Sequence, residues 1–234
     1  MDNRMLFKDW ISVQVPICDI IINASVKDGS DSFVDHPIGV CYYFLTSNMK
    51  APFLNHSNVN TEQCLCSMNL STDRYRRSKA PINRRSIAHK LVHKKFIQNI
   101  KGLPDNYYSA IGKYRFVICP EGNGIDTHRL WETLYSKGIP IVEYNELMEK
   151  KLEGLPILWT KDYSELDENY LKQEYKRILE SEYDFSKLYL SKYSEEEIRL
   201  ILDRSKKWCH KFKQHNEFLN YSEDVLKAAG LKTI

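Results

Sequence analysis

A cluster of charged and polar side chains stands between two apolar runs in the middle of the chain. The stretch CPEGNGIDTHRLWE, residues 119–132, contains Asp126, His128, Arg129 and Glu132. Arginine offers a rigid fork of donors that suits a phosphate group. A carboxylate such as Glu132 can accept hydrogen bonds from both hydroxyls of a ribose. Hydrogen-bond donors that suit a phosphate, next to a carboxylate that accepts from hydroxyls, indicate a site for a nucleotide diphosphate.

The backbone of the same stretch favours an anion. Gly122 and Gly124, on either side of Asn123, are expected to adopt positive φ and to let the backbone approach a ligand. The next helix is predicted to begin with Asp126 or Thr127 as N-cap, so its free N–H groups would face the ligand. Gly138 is the predicted end of this helix.

A plain alternative remains for these residues. The glycines could serve only the geometry of a strand-to-helix turn, and Arg129 and Glu132 could form a solvated ion pair three residues apart. The stretch is neither a G-x-G-x-x-G fingerprint nor a phosphate-binding P-loop. Both a dinucleotide oxidoreductase and a nucleoside triphosphatase are therefore disfavoured.

The elements that must position these residues alternate between strand and helix patterns. Strands are predicted within 64–70, 115–119, 139–144 and 155–160, with further candidates within 11–25 and 38–46. Helices are predicted over 84–100, capped by Asn83, over 164–183, opened by Ser164-x-x-Asp167, and over 194–219. This alternation is typical of an α/β fold with a parallel sheet, which binds ligands beyond the carboxyl ends of its strands.

Charge and composition set further limits. Residues 73–95 hold nine basic side chains against one acid, although the whole chain of 234 residues carries only +3. No run approaches the roughly eighteen apolar residues of a membrane helix, and the start of the chain lacks a signal-peptide pattern. The six cysteines, of which only Cys64 and Cys66 are close together, indicate free thiols in a reducing compartment. We expect a cytoplasmic protein without a membrane span, a metal or a cofactor.

Residues 114–166 resemble the carboxy-terminal half of exostosin-like glycosyltransferases of GT-B architecture. The features that carry the resemblance are Phe-x-x-Cys-Pro from Phe116, Gly-x-Asp-x-x-Arg-x-x-Glu from Gly124 to Glu132, and Gly-Ile-Pro-Ile-Val from Gly138. A weaker similarity extends over residues 62–185. The resemblance implies a GT-B-like, Rossmann-type parallel sheet flanked by helices. Residues 62–234 would form the nucleotide-sugar-binding domain with its long C-terminal helix.

The resemblance also implies an activity and roles for individual residues. The chain would be a metal-independent hexosyl- or pentosyltransferase of the bacterial or large-virus type, moving a sugar from a UDP or GDP donor to a glycan or glycoprotein hydroxyl. Arg129 would contact the diphosphate and Glu132 the ribose, with Asp126 and His128 beside the donor pocket. A second cation would come from one of Arg77, Arg84 and Arg85.

The acceptor side departs from the family. Residues 1–61 form a short, incomplete α/β part, in which Asp35, with Asp31 and His36, is the candidate general base or else an ordinary polar loop. A second copy or a partner could complete the cleft. Two alternatives to a transferase stay open. One is a catalytically inactive nucleotide-sugar-binding or scaffold protein, and the other is a nucleic-acid-binding protein that uses residues 73–95.

Overall fold

The computed structural model describes residues 21–23, 33–35, 37–41, 43–44, 60–74, 76–100 and 104–188. The chain divides into two compact units, Met1–Tyr183 and Asp184–Ile234. Within the second unit, the described part is a 3-10 helix, Phe185–Leu188. The predicted tail helix over 194–219 and the candidates Asp31 and His36 lie outside the described residues. The proposed division at residue 61 stays a prediction.

An all-parallel sheet of five strands forms the centre of the first unit, in the order β4-β3-β5-β6-β7. Its strands are β3 (Glu62–Cys66), β4 (Ile97–Asn99), β5 (Tyr114–Ile118), β6 (Ile139–Glu143) and β7 (Leu158–Thr160). Two earlier strands, β1 (Ile21–Asn23) and β2 (Phe33–Asp35), pair in parallel with each other. The predicted α/β class with a parallel sheet is confirmed.

Five helices connect and follow the strands of this sheet. They are α1 (Arg84–Leu91), α2 (Pro104–Ile111), α3 (His128–Tyr135), α4 (Glu146–Leu152) and α5 (Glu168–Leu179). Ile87 and Leu91 of α1 and Leu171 and Ile178 of α5 join one core with the apolar side chains of β3 to β7 on one face of the sheet. Strand β6 is buried along its whole length, as expected for a strand covered on both faces.

Several predicted boundaries were wrong. Helix α1 ends at Leu91 rather than near residue 100, because residues Ile97–Asn99 form edge strand β4 instead of continuing the helix. Helix α5 begins after Asp167, whose side chain accepts from the Tyr170 N–H, so Ser164 does not open it. The strand expected within 38–46 is absent from the described part of that segment, since residues 43 and 44 form a helical turn.

The strand order reverses between β3 and β5. After β3 the chain moves outward to β4, crosses back to β5, and continues through β6 to β7. Right-handed crossovers in opposite directions place the helices that follow β3 and β5 on opposite faces of the sheet. Such a reversal leaves a crevice at the carboxyl ends of these two strands, which is the usual ligand position in an open parallel sheet.

Candidate anion-binding site at the sheet edge

Two helices begin at this reversal point, and each has an arginine in its first turn. Asn83 caps α1, with its side chain accepting from the Arg85 and Ser86 N–H groups, and Arg84 is the first residue of that helix. Thr127 is the N-cap of α3, although its side chain makes no capping bond, and Arg129 is the second residue. Both helix dipoles therefore direct partial positive charge towards the strand ends.

The Arg129 guanidinium rests on an aromatic ring from α2. Its Nε donates to the Tyr107 hydroxyl at 3.3 Å, and its central carbon lies 5.0 Å from the Tyr107 ring centroid. No carboxylate among the described residues lies within 4.0 Å of the guanidinium. The alternative in which Arg129 and Glu132 form an ion pair is thus not observed. Arg129 is a half-buried cation without a neutralising partner in the described part of the chain.

Arg84 stands close to Arg129 but is occupied by the protein itself. Its three guanidinium nitrogens donate to the carbonyls of Glu121, Asn69 and Pro120 at 2.9, 3.2 and 3.0 Å. Burial, and then the charge of Arg129, lower the pKa of Arg84 from 12.5 to about 10. The side chain remains charged at neutral pH and is only 5% exposed. It joins the loop after β3 to the loop after β5.

Two thiols at the strand ends lie in the field of both arginines. Burial raises the pKa of Cys66, at the end of β3, to about 11, while the charges of Arg129 and Arg84 act to lower it. Cys119, directly after β5, has its pKa raised to about 12, first by burial. The four described cysteines are free thiols, as expected. The positive potential of the two guanidiniums therefore extends across the ends of β3 and β5.

The glycine loop serves a different purpose from the one predicted. Gly122 and Gly124 are not among the described glycines with positive φ, which are Gly39 and Gly154. A Cβ on Gly122 would lie 3.1 Å from Arg84 Nη2. Gly122 is therefore needed for the close approach of the Arg84 side chain, and its carbonyl also accepts from Arg76 Nε at 3.0 Å. Asn123 between the glycines is exposed.

Five of the nine cations in the basic segment 73–95 have partners within the fold. Arg77 pairs with Glu143 at 2.9 Å and Lys90 with Asp162 at 2.6 Å. Arg76 pairs with Glu121, and Lys94 donates to the Leu166 carbonyl. With Arg84, these residues account for five of the nine cations. The four exposed ones are Arg74, Lys79, Arg85 and Lys95.

Asp126 is a buried anchor. Its Oδ1 accepts from Trp131 Nε1 at 2.7 Å, and its Oδ2 accepts from the Ile38 N–H at 3.0 Å and pairs with Lys151 at 2.9 Å. The side chain is fully buried. These contacts fix the start of α3 against α4 and against residues 37–41.

Glu132 also faces the protein rather than an open cleft. Its Oε1 lies 3.4 Å from the Tyr108 hydroxyl and 3.4 Å from the Cys41 backbone nitrogen, each of which donates to it. The residue is 3% exposed, so it is not part of a solvated helix face. Its Oε2 accepts no hydrogen bond from the described residues. Any hydroxyl contact by Glu132 would use that second oxygen.

His128, at the first position of α3, is exposed. Its Nδ1 lies 2.8 Å from the carbonyl oxygen of Gly39. Because a carbonyl oxygen can only accept, Nδ1 carries the proton in this contact. Asp35 ends β2, and its side chain is outside what the structure describes, so its role stays a prediction.

The sequence did not assign Tyr107 and Tyr108 to the site, although their position is central to it. Tyr107 supports Arg129 and Tyr108 donates to Glu132, while their rings lie 5.1 Å apart. Both residues are 6% exposed. The only available signal was two adjacent tyrosines in a short helical pattern. That signal does not show which polar partners the hydroxyl groups find.

No protein-family model matches this chain, and no curated protein matches it. The resemblance to exostosin-like glycosyltransferases therefore stays a prediction from the residues of this sequence. No helix in the described ranges is long and apolar enough to cross a membrane. Within the same ranges, no group of three His, Cys, Asp or Glu side chains could hold a metal ion.

Proposed function

We propose that the chain binds a nucleotide-diphosphate sugar and transfers its sugar to an acceptor hydroxyl, as the donor half of a GT-B-like glycosyltransferase. The observation that supports this is the Arg129 guanidinium at the reversal point between β3 and β5. It has no carboxylate partner in the described residues and stands close to a second buried guanidinium, Arg84. A dianionic ligand would neutralise this uncompensated charge.

The arginines have different parts in this proposal. Arg129 is the residue that would contact the diphosphate, because its terminal nitrogens donate to no described group. Arg84 already donates from all three guanidinium nitrogens, so it would act by holding the loops and by adding positive potential. Arg77 is paired with Glu143, which leaves it in a supporting role, while exposed Arg85 makes no side-chain contact in the described residues.

The chemistry assigned to the site is a displacement at the anomeric carbon. The acceptor oxygen forms the new glycosidic bond, and the bond from the anomeric carbon to the donor phosphate breaks. Its electron pair leaves with the diphosphate, which gains negative charge as the transition state forms. Arg129 and the start of α3 would stabilise that charge. Asp126 would hold α3 in place, since both of its oxygens are already bonded within the protein.

A thermal-shift screen with UDP, GDP, CMP and their sugars tests this proposal. A nucleoside diphosphate at a hundredfold excess over Kd should stabilise the fold by roughly 2.7 kcal/mol. CMP, which has one phosphate, should stabilise it less. The donor that stabilises most would then be assayed for hydrolysis and for transfer to glycan acceptors. Stabilisation by none of the diphosphates would overturn the proposal.

A donor-binding protein without transferase activity is the second candidate. It is favoured by the burial of Asp126 and Glu132, because neither carboxylate is open to a substrate hydroxyl as a general base. Donor binding with no hydrolysis and no transfer to any acceptor would select this candidate. A nucleic-acid-binding role is disfavoured, since five of the nine cations in residues 73–95 already have partners within the fold.

A further inference from the structure

Residues 37–41 lie across the start of helix α3 and contact it through the backbone. The Ile38 N–H donates to Asp126, the Gly39 carbonyl accepts from His128, and the Cys41 N–H donates to Glu132. Asp126 is itself fixed by Trp131 and Lys151. The Gly39 carbonyl is therefore held in place by an anchor one residue before it.

The contact with Gly39 determines which nitrogen of His128 carries the proton. Nδ1 donates to the carbonyl at 2.8 Å, so in the neutral imidazole the lone pair is on Nε2. No described residue contacts Nε2, and the side chain is exposed. A neutral imidazole with a fixed Nδ1–H and a free Nε2 is the arrangement of a general base.

Glycine is required at residue 39 by the backbone and not by space. Its φ is 66°, in the left-handed region that residues other than glycine rarely adopt. A Cβ at this position would meet no atom within 4 Å. Residue 39 thus aims its carbonyl at His128 through a conformation that a proline, with φ fixed near −65°, would exclude.

We infer that Gly39 is a positioning residue that sets the Nδ1–H tautomer of His128, leaving Nε2 to take the proton from the acceptor hydroxyl. This inference rests on the proposed function for its catalytic part, and the tautomer itself does not depend on that function. In the reaction, the hydroxyl proton passes to Nε2 as the acceptor oxygen bonds to the anomeric carbon. The electron pair of the broken bond leaves with the diphosphate beside Arg129, the next residue of α3.

Nitrogen-15 NMR of the histidine rings tests the tautomer directly. In the full chain labelled at histidine, the ring of His128 is assigned by the signal lost in His128→Gln. In its neutral form, His128 should show a protonated Nδ1 and an unprotonated Nε2. His89 is exposed on helix α1 and its ring has no carbonyl partner among the described residues, so it serves as the internal reference for a solvated imidazole. A protonated Nε2 in neutral His128 would overturn the inference.

The variant Gly39→Pro tests the positioning role. It should move His128 to the tautomer shown by His89, while nucleotide binding at Arg129 is retained. An unchanged tautomer in a folded Gly39→Pro protein would show that Gly39 does not position the ring. If this variant does not fold, the tautomer of wild-type His128 still tests the inference, because a protonated Nε2 in the neutral ring would overturn it.

The catalytic part is tested by turnover of the donor. His128→Gln should bind the nucleotide diphosphate as the wild type does, but should transfer or hydrolyse the donor at least about a hundredfold more slowly. Turnover at the wild-type rate would refute the role of Nε2 as base. A wild type that binds no diphosphate would overturn the proposed function and would leave the tautomer result unaffected.

Discussion

Replacing Arg84 by methionine should destabilise the fold through the loss of three hydrogen bonds to carbonyl oxygens. Each bond from a charged donor contributes about 1.5–3 kcal/mol. Against this, the fall of the Arg84 pKa from 12.5 to about 10, caused first by burial and then by the charge of Arg129, corresponds to a cost of roughly 3 kcal/mol. Methionine keeps most of the apolar volume and removes both contributions. We therefore expect a net loss of about 1.5–6 kcal/mol.

Urea unfolding of Arg84→Met beside Arg85→Met measures this loss with a matched control. Arg85 is the next residue of the same helix, but it is exposed and its side chain makes no described contact. Its replacement should change the unfolding free energy by less than about 0.5 kcal/mol. Equal stability of the two variants would refute the assignment of Arg84 as the residue that holds the two loops together. Weaker nucleotide binding at unchanged stability would instead make Arg84 a direct phosphate ligand.

Two further predictions concern the same edge of the sheet. Gly122→Ala places a Cβ 3.1 Å from Arg84 Nη2 and should lower the free energy of unfolding in urea by about 1–3 kcal/mol. The control Gly112→Ala should be tolerated, because its Cβ would lie 3.6 Å from the nearest atom. Equal losses in the two variants would contradict this packing. Burial raises the pKa of Glu143 above 4.5 in the folded state, so its ionisation opposes folding. As pH rises past 4.5 the wild type should lose stability relative to Glu143→Gln. The free energy of unfolding of both proteins is measured at about pH 4 and about pH 7. The same stability difference at both pH values would contradict the raised pKa.

The layers of the fold were predictable because each strand shows its own pattern. The apolar runs that include Cys64–Cys66, Phe116–Cys119 and Ile139–Val142 are short, strongly apolar and separated by helix-like segments. The Asn83 cap was also predictable, because asparagine before a helical pattern has a local physical role. The edge strand β4 was missed because it has only three residues. The apolar residues between α1 and this strand continue the apolar periodicity of the helix, so the pattern predicted a longer helix.

The interior of the site could not be predicted because it depends on contacts between distant residues. The sequence placed Arg129 near this edge and left the second cation open among Arg77, Arg84 and Arg85. It did not show that carbonyl oxygens would occupy the Arg84 guanidinium. Glu132 has the spacing of an exposed position, and its burial follows from Tyr108 and Cys41, which are 24 and 91 residues away. His128 was a candidate through the family resemblance, whereas its Gly39 partner, 89 residues away, gave no local signal.

Isothermal titration calorimetry of UDP and GDP against Arg129→Met tests the central claim most directly. Arg115→Met is the matched control, because Arg115 also stacks on a tyrosine, at 4.9 Å from the Tyr175 ring, and donates to one carbonyl. It lies at the amino end of β5, away from the proposed phosphate site. The proposal predicts that Arg129→Met loses diphosphate binding by about a hundredfold or more, while Arg115→Met binds as the wild type does. Unchanged binding of UDP and GDP by a folded Arg129→Met protein would contradict it.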